Sequence, residues 1–155
     1  MRLATKLALV SATIIIAAFG ADNSIGVWKL NLEKSKYTPA PMPVKTVTVT
    51  REASDGGVKI TITGEQADGT AINASYTAKY DGKEVPVTGN APYDMIAIKQ
   101  VNANTFTDER KKTGGSYKVT GRAVISGGGK TLTTTTKGTN SEGKQFTSTF
   151  VFEKQ

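Results

Sequence analysis

Short stretches in which apolar and polar residues alternate recur along the chain after residue 20. Thr46–Arg51 places valine and threonine on opposite faces, and Ile72–Tyr80 repeats the alternation with isoleucine, alanine and tyrosine. Turn-forming runs such as Asp55–Gly57 and Gly127–Gly129 separate these stretches at intervals of about eight to twelve residues. A period of two residues is typical of a β-strand with one buried face, and no helical period follows residue 20. The pattern predicts an all-β chain of about ten short antiparallel strands.

The two ends of this patterned region predict how the strands close. Gly26–Leu30 contains the single tryptophan, and Phe150–Lys154 belongs to the last alternating stretch. Consecutive hairpins favour up-and-down order, so we expect these stretches to pair as the first and last strands of a β-barrel. Gly26 and Trp28 are predicted to plug one end of that barrel. Threonine, lysine and serine opposite the valines exclude an outer-membrane barrel, whose outer face is apolar.

Residues 1–20 predict a signal peptide that precedes the barrel. Met1–Lys6 is basic, Leu7–Phe19 is an almost uninterrupted apolar run, and Ala18–Gly20 supplies small residues for cleavage. The apolar run is short for a membrane span, although an uncleaved N-terminal anchor stays open as an alternative. We therefore expect residues 21–155 to form a single domain that is periplasmic or secreted.

Charge and composition exclude several functions. The net charge is +7, or +5 once Arg2 and Lys6 leave with the signal peptide, and its spread over nearly every hairpin argues against nucleic-acid binding. The chain has no histidine and no cysteine, which excludes disulfides and Ser-His-Asp or Cys-His catalysis. Asp55, Asp68 and Asp81 each precede a glycine in a turn, so calcium binding is not needed to explain them. We expect no enzyme activity, metal or cofactor, with a carboxylate-based hydrolase as the remaining catalytic alternative.

Three local features predict loops and edges. Alternating prolines in Thr38–Pro43 favour an extended segment that straps one barrel end or rims a ligand entrance. Tyr80–Lys83 contains an Asp-Gly pair and predicts a tight hairpin. Pro86 within Glu84–Val87 is typical of an edge or a gap in a sheet.

Strand parity predicts which side chains face the interior. The apolar members of this inward set are Val47, Val49, Val58, Ile60, Ile62, Tyr76, Ile96, Ile98, Phe106, Tyr117, Val119, Leu132, Phe146, Phe150 and Phe152. Arg51, Asp108 and Arg110 share this parity, and buried polar groups need partners. Asp108 and Arg110 either pair with each other, lie at a wet rim, or line a cavity. The candidate ligand-binding residues of the lumen are Arg51, Tyr76, Ile98, Phe106, Arg110, Tyr117, Phe150 and Phe152.

The two end stretches also resemble a known family. Gly26–Leu30, followed by Ser35–Tyr37, looks like the opening of the intracellular fatty-acid-binding proteins. More broadly, it resembles the Gly-x-Trp strand of the lipocalins and their relatives, the calycins. Lys130–Leu132, Gly143–Lys144 and Thr149–Lys154 look like that family's closing hairpin. The resemblance implies a lipocalin-like barrel and a small apolar or amphipathic ligand such as a lipid.

Two departures from the family limit what the resemblance implies for the site. The family carries a helix-turn-helix lid between its first two strands, which the alternating prolines of Thr38–Val44 cannot form. The family also binds its ligand's carboxylate through an Arg-x-Tyr pair on the last strand. The matching positions in this chain are Phe150 and Phe152, whose side chains have no hydrogen-bond donor. We therefore expect a neutral or weakly polar ligand, unless an arginine from another strand reaches inward. The candidates are Arg51, Arg110 and Arg122.

Two functions follow from these observations. The first is a secreted lipocalin-like binding protein for a small apolar or amphipathic molecule. The alternative is a structural or protein-interaction barrel with a self-filled core and no small-molecule ligand. An internal cavity of roughly a few hundred cubic ångströms favours the first, and a packed interior favours the second. The oligomeric state does not follow from the sequence.

Overall fold

The computed structural model describes residues 22–155, in which every regular element is a β-strand. The strands are β1 (Gly26–Thr38), β2 (Val44–Ser54), β3 (Gly57–Gln66), β4 (Ala71–Lys79), β5 (Asp81–Pro86), β6 (Thr88–Gly89), β7 (Met95–Asn102), β8 (Thr105–Lys111), β9 (Lys118–Ser126), β10 (Thr131–Thr139) and β11 (Gln145–Lys154). In this part of the chain, no helix has the length and apolar character needed to cross a membrane. The predicted signal peptide lies outside the described residues.

All the strands form one antiparallel sheet in the order β5-β7-β8-β9-β10-β11-β1-β2-β3-β4-β6. Because β1 pairs with both β2 and β11, the first and last strands close the sheet into a nearly complete barrel. The opening lies between β4 and β5, since β5 pairs only with β7 among the described strands. The predicted up-and-down barrel is confirmed. It has eleven strands and not about ten, because the two-residue β6 adds a short piece beside β4.

The Asp81-Gly82 pair does not form the predicted tight hairpin. Both residues begin β5, which pairs with β7 instead of β4. The turn chemistry is present locally, since Gly82 has a φ of 76° and the Lys83 amide donates to Asp81 Oδ1 at 3.0 Å. The chain turns there, but the two strands diverge and leave the opening in the barrel. The edge position predicted for Glu84–Val87 is confirmed, and it suits Pro86 because proline has no amide hydrogen to donate.

Strand β1 extends to Thr38, well beyond the Gly26–Leu30 stretch that is predicted to belong to the first strand. Its register with β11 shifts between Asn31 and Lys36. Ser35 stabilises this irregular stretch, because its hydroxyl donates to the Asn31 carbonyl at 2.6 Å and accepts from the Val151 amide at 3.0 Å. A bulge bends its strand, so β1 leaves β2 early and continues along β11 alone.

The inward-facing side chains of the strands form a single apolar core. Every apolar interior position predicted from strand parity belongs to this core or packs against it, so that prediction is confirmed. The core also includes Tyr93, Ala123 and Ile125, and its largest fully buried side chain is Trp28. The segment between β1 and β2 contains no strand, and Thr38 and Pro39 lie beside a groove on the outer face.

Candidate ligand-binding interior

The interior of the barrel is the candidate site, because apolar walls there surround a few polar side chains. All the candidate lumen residues point inward, although their extent of burial differs. Those that are buried are Arg51, Ile98, Phe106, Tyr117 and Phe152, and those that are half-buried are Tyr76, Arg110 and Phe150. The structure therefore brings these side chains together in the interior of the barrel, and their role in binding stays a prediction.

Tyr76 and Arg110 lie deep within the barrel but keep part of their surface accessible. For the Arg110 side chain, the accessible fraction is 23%. Tyr76 lies on β4, beside the opening between β4 and β5, and Arg110 lies on β8, so neighbouring side chains do not cover either residue completely. Both side chains therefore lie among the inward-facing core residues and keep part of their surface uncovered.

Trp28 lies where β1 meets β11, at what we call the Trp28 end of the barrel, and it is 0% exposed. Its Nε1 donates to the Ser24 carbonyl at 2.8 Å. Lys154, its cross-strand partner, places Nζ 5.1 Å from the centre of the indole, within cation–π range. Because Gly26 has no side chain, it makes room for the side chain of Lys154; a Cβ at this position would lie 2.6 Å from Lys154 Cε.

Arg51 spans the interior at the Trp28 end. Its backbone pairs with Gly26 and Ile60 on the neighbouring strands. Its guanidinium carbon lies 5.4 Å from the ring centre of Phe106, which belongs to β8 and is not adjacent to β2 in the sheet. The residue is only 7% exposed, and within residues 22–155 no acceptor bonds to its Nε or Nη2. Arg51 is therefore a buried cation with unsatisfied donors.

Asp22 and Tyr80 form a hydrogen-bonded pair at the same end. The Tyr80 hydroxyl donates to Asp22 Oδ2 at 2.6 Å, and the Ser24 amide donates to Oδ1 at 2.9 Å. Burial opposes ionisation of Asp22, but these hydrogen bonds and the more distant charge of Arg51 hold its pKa below the usual value. Both carboxylate oxygens are engaged, and the Tyr80 ring lies 5.0 Å from that of Phe106.

Asp108 and Arg110 pair inside the barrel, which confirms one of the arrangements that their parity predicts. Arg110 Nε donates to Asp108 Oδ1 at 2.6 Å. Burial lowers the pKa of Arg110, but the adjacent carboxylate outweighs burial and raises it well above the usual value. Gly121 on β9 provides room for this carboxylate, since a Cβ at that position would collide with it. The guanidinium also lies over the ring of Tyr93, 5.6 Å from its centre.

A row of aromatic rings leads from this ion pair to the opposite end of the barrel. Tyr93 stacks on Tyr117 with ring centres 5.6 Å apart, and Tyr117 lies 6.5 Å from Phe146. Phe146 in turn stacks on Tyr37 at 5.3 Å. The first two rings are buried and the last two are half-buried, so the row passes from the core towards the surface. Flat rings of this kind present a large apolar surface to a ligand.

We expect the interior tyrosines to resist ionisation until the barrel opens. Burial raises the pKa of Tyr76, Tyr93 and Tyr117, and for Tyr117 it reaches about 12. Because the pKa of Tyr117 in the folded protein exceeds the usual 10.0, its contribution to the stability of the fold is complete below pH 10 and is lost as the pH rises through the folded value. Tyrosinate absorbance should rise together with the loss of circular dichroism. Gradual ionisation of all five tyrosines near pH 10, in a protein that stays folded, would contradict the placement.

The side chains of the three candidate arginines do not all point into the barrel. Arg51 and Arg110 reach inward, whereas Arg122 is exposed on the outer face of β9. Phe150 and Phe152 face the interior without offering a donor, as expected. The expectation of a neutral ligand depended on no arginine from another strand reaching inward. Arginines from other strands do reach the interior, so that expectation no longer follows.

Sequence reasoning missed Tyr93, Gly121 and the Asp22–Tyr80 pair. Tyr93 lies in the connection between β6 and β7, where no alternation indicates a direction. Gly121 was detectable, because an isolated glycine within an alternating strand indicates close approach by a neighbouring group. Asp22 precedes β1, and only the folded chain brings it to Tyr80.

Two grooves lie on the outer face of the barrel. The larger, of about 590 Å³, is formed where Thr38 and Pro39 meet β9, β10 and β11, and it includes Lys118, Lys137 and Phe146. The other, of about 310 Å³, lies over β7, β8 and β9. In the described residues, no three acidic side chains come close enough together to hold a metal ion.

No protein-family model and no curated protein match this chain. Solved structures do match. A DUF3598-family protein of unknown function from Nostoc punctiforme superposes with a TM-score of 0.55 and 11% identity over 86% of this chain, which spans about half (48%) of that protein. Lipocalin 12 from rat epididymis has a TM-score of 0.50 and 13% identity over 88% of this chain and 69% of the lipocalin. Zebrafish ileal bile acid-binding protein, complexed with cholic acid, has a TM-score of 0.48 and 11% identity over 86% of this chain and 99% of its own.

Identities of this size bear on the fold alone. The likeness to lipocalin 12 agrees with an antiparallel barrel that β1 and β11 close, beginning at a Gly-x-Trp strand. The chain therefore has a lipocalin-like antiparallel β-barrel fold.

Proposed function

We propose that the protein is a lipocalin-like binding protein that takes up one small apolar or amphipathic molecule inside its barrel. The observation that carries this proposal is the accessible surface of Tyr76 and Arg110 deep within apolar walls. A core filled by its own side chains covers such groups, whereas a ligand site leaves a few of them open to an occupant. The lipocalin-like fold supports the proposal, because its nearly closed wall of strands surrounds the interior.

The same proposal places the protein outside the cytoplasm and gives it no catalytic role. The basic, apolar and small-residue pattern of residues 1–20 supports export. The absence of histidine and cysteine removes the usual nucleophile systems. Two carboxylates of the interior, Asp22 and Asp108, are each bonded to partners, which disfavours a carboxylate-based hydrolase.

A protein-interaction barrel is the second candidate, and the larger outer groove favours it. That groove combines the outward-facing Lys118 and Lys137 with Pro39 and with the half-buried ring of Phe146 at the end of the barrel, a mixture of apolar and basic groups. In this case the interior holds no small molecule, and the outer face binds a partner protein.

Binding of the neutral fluorescent probe N-phenyl-1-naphthylamine distinguishes the two candidates. Thr134 faces inward on β10, opposite Phe150, whereas the adjacent Thr135 is exposed on the outer face. Thr134→Phe fills interior space, so we expect it to weaken probe binding by about tenfold or more, which corresponds to about 1.4 kcal/mol. The matched variant Thr135→Phe should bind the probe as the wild type does.

Thermal unfolding of both variants provides the control that the barrel is intact. The carrier proposal fails if Thr134→Phe binds the probe normally, or if the wild type binds none. It also fails if Lys137→Glu, in the outer groove, abolishes probe binding, and the interaction barrel is then the better description.

A further inference from the structure

The two arginines inside the barrel differ in how their donors are used. Arg110 donates to Asp108 at 2.6 Å and lies over the ring of Tyr93. Arg51 is buried, yet within residues 22–155 no acceptor bonds to Nε or Nη2 and no ion pair includes it. Of the two interior arginines, Arg51 is thus the one whose Nε and Nη2 donors have no acceptor among the described residues.

The groups around Arg51 do not supply that partner. Phe106 offers only the face of its ring. The charge of Arg51 helps to lower the pKa of Asp22, but the oxygens of Asp22 accept hydrogen bonds from Tyr80 and the Ser24 amide and not from Arg51. Leaving the donors of a charged group unbonded in an apolar interior is costly, and a guanidinium does not lose its charge to relieve that cost. Such a residue is typical of a binding site, where a ligand completes the missing bonds.

The geometry of the guanidinium indicates what kind of ligand completes them. Nε–H and one Nη2–H lie on the same edge and point in parallel, so they match the two oxygens of one carboxylate. We propose that Arg51 binds the carboxylate of an amphipathic ligand whose apolar chain extends towards the opposite end of the barrel. This inference rests on the proposed function, because it names the ligand class for the same interior.

The barrel provides an apolar path for that chain. Along β2, Val49 and Val47 follow Arg51 inward from the Trp28 end, and Ile62 lies beside Val49 on β3. The row of rings from Tyr93 to Tyr37 continues the path to the opposite end. The site differs from the last-strand Arg-x-Tyr pair of the fatty-acid-binding proteins, since its arginine lies on β2.

Competition between an acid and its alcohol tests the inference. Dodecanoate and 1-dodecanol are each used to displace N-phenyl-1-naphthylamine at neutral pH from the wild type, Arg51→Met and Arg122→Met. We expect the wild type to bind dodecanoate about tenfold or more tightly than dodecanol. Arg51→Met should lose that advantage and keep its affinity for dodecanol. Arg122→Met is the matched control and should behave as the wild type, because Arg122 is exposed on the outer face.

Each other outcome has a definite meaning. Unchanged dodecanoate affinity in Arg51→Met, or a wild type that binds the alcohol as tightly as the acid, overturns the role of Arg51 while the carrier function stands. If the wild type binds neither compound, the carrier function itself fails. Loss of both compounds in Arg51→Met, with a lower Tm, shows a structural role for Arg51 and also overturns the inference.

Tryptophan fluorescence gives an independent measure of ligand orientation. Trp28 is the single tryptophan, and it pairs with Val49, two residues before Arg51 on the same inner face. Bromine quenches an indole at short range, so 2-bromododecanoate should quench Trp28 about twofold or more strongly than 12-bromododecanoate, because the carboxyl end lies diagonally across from the indole. The reverse order would place the carboxylate at the opposite end and overturn the inference.

Discussion

Replacing Trp28 with alanine should lower the free energy of unfolding by about 3–5 kcal/mol, the range for deletion of a large aromatic side chain from a core. The indole has no exposed surface, donates a hydrogen bond to the Ser24 carbonyl and lies beneath the Lys154 ammonium group. Its removal leaves a cavity beside the β1–β11 pairing that closes the barrel.

Urea unfolding followed by circular dichroism measures this loss. Lys154→Met is the matched control, because it removes the cation and keeps the indole, and it should cost less than about 1 kcal/mol. Trp28→Phe should fall between the two, since it keeps a smaller ring. A cost of less than about 1 kcal/mol for Trp28→Ala would mean that the indole is not packed in the core.

Removing the Asp108 carboxylate should cost about 3 kcal/mol in the variant Asp108→Ala, as expected when one partner of a buried pair is deleted. The variant leaves the charge of Arg110 inside the barrel with only the ring of Tyr93 against it. The side chains of the pair are 12% and 23% exposed, so solvent screens the unpaired charge only in part.

A second variant separates the unpaired charge from the lost packing. Asp108→Ala combined with Arg110→Met removes both charges, and we expect it to recover more than half of the lost stability. The exposed pair Lys45–Glu65 is the control, and Glu65→Ala should cost less than about 1 kcal/mol. If Asp108→Ala and Glu65→Ala cost the same in urea unfolding, the interior placement of Asp108 is wrong.

The strands and their inward faces could be predicted because they depend on a local period of two residues. Thr46–Arg51 shows this, since its valines face the core and its threonines do not. The bulge at Ser35 could not be predicted, because it depends on a hydrogen bond to Val151 at the other end of the chain. The tight hairpin predicted at Asp81-Gly82 was wrong for a similar reason, since local turn chemistry does not determine which strands pair.

The candidate site could be predicted only in part. Strand parity correctly predicts that Arg51 and Arg110 point inward, but it does not show which of them has a hydrogen-bond acceptor. Asp108 is two residues from Arg110 on the same strand face, so their pairing was one of the expected arrangements. The contact of Arg51 with Phe106 joins strands on opposite walls, and it follows only from the closed barrel.

The central claim is that a small molecule binds inside the barrel, and proton–nitrogen correlation NMR during titration with dodecanoate tests it most directly. We expect one saturable set of changes in the amides of the inner walls, around Ile98, Phe106 and Thr134. Changes confined to the outer groove around Lys118 and Lys137, or no changes up to the solubility limit of dodecanoate, would contradict the claim.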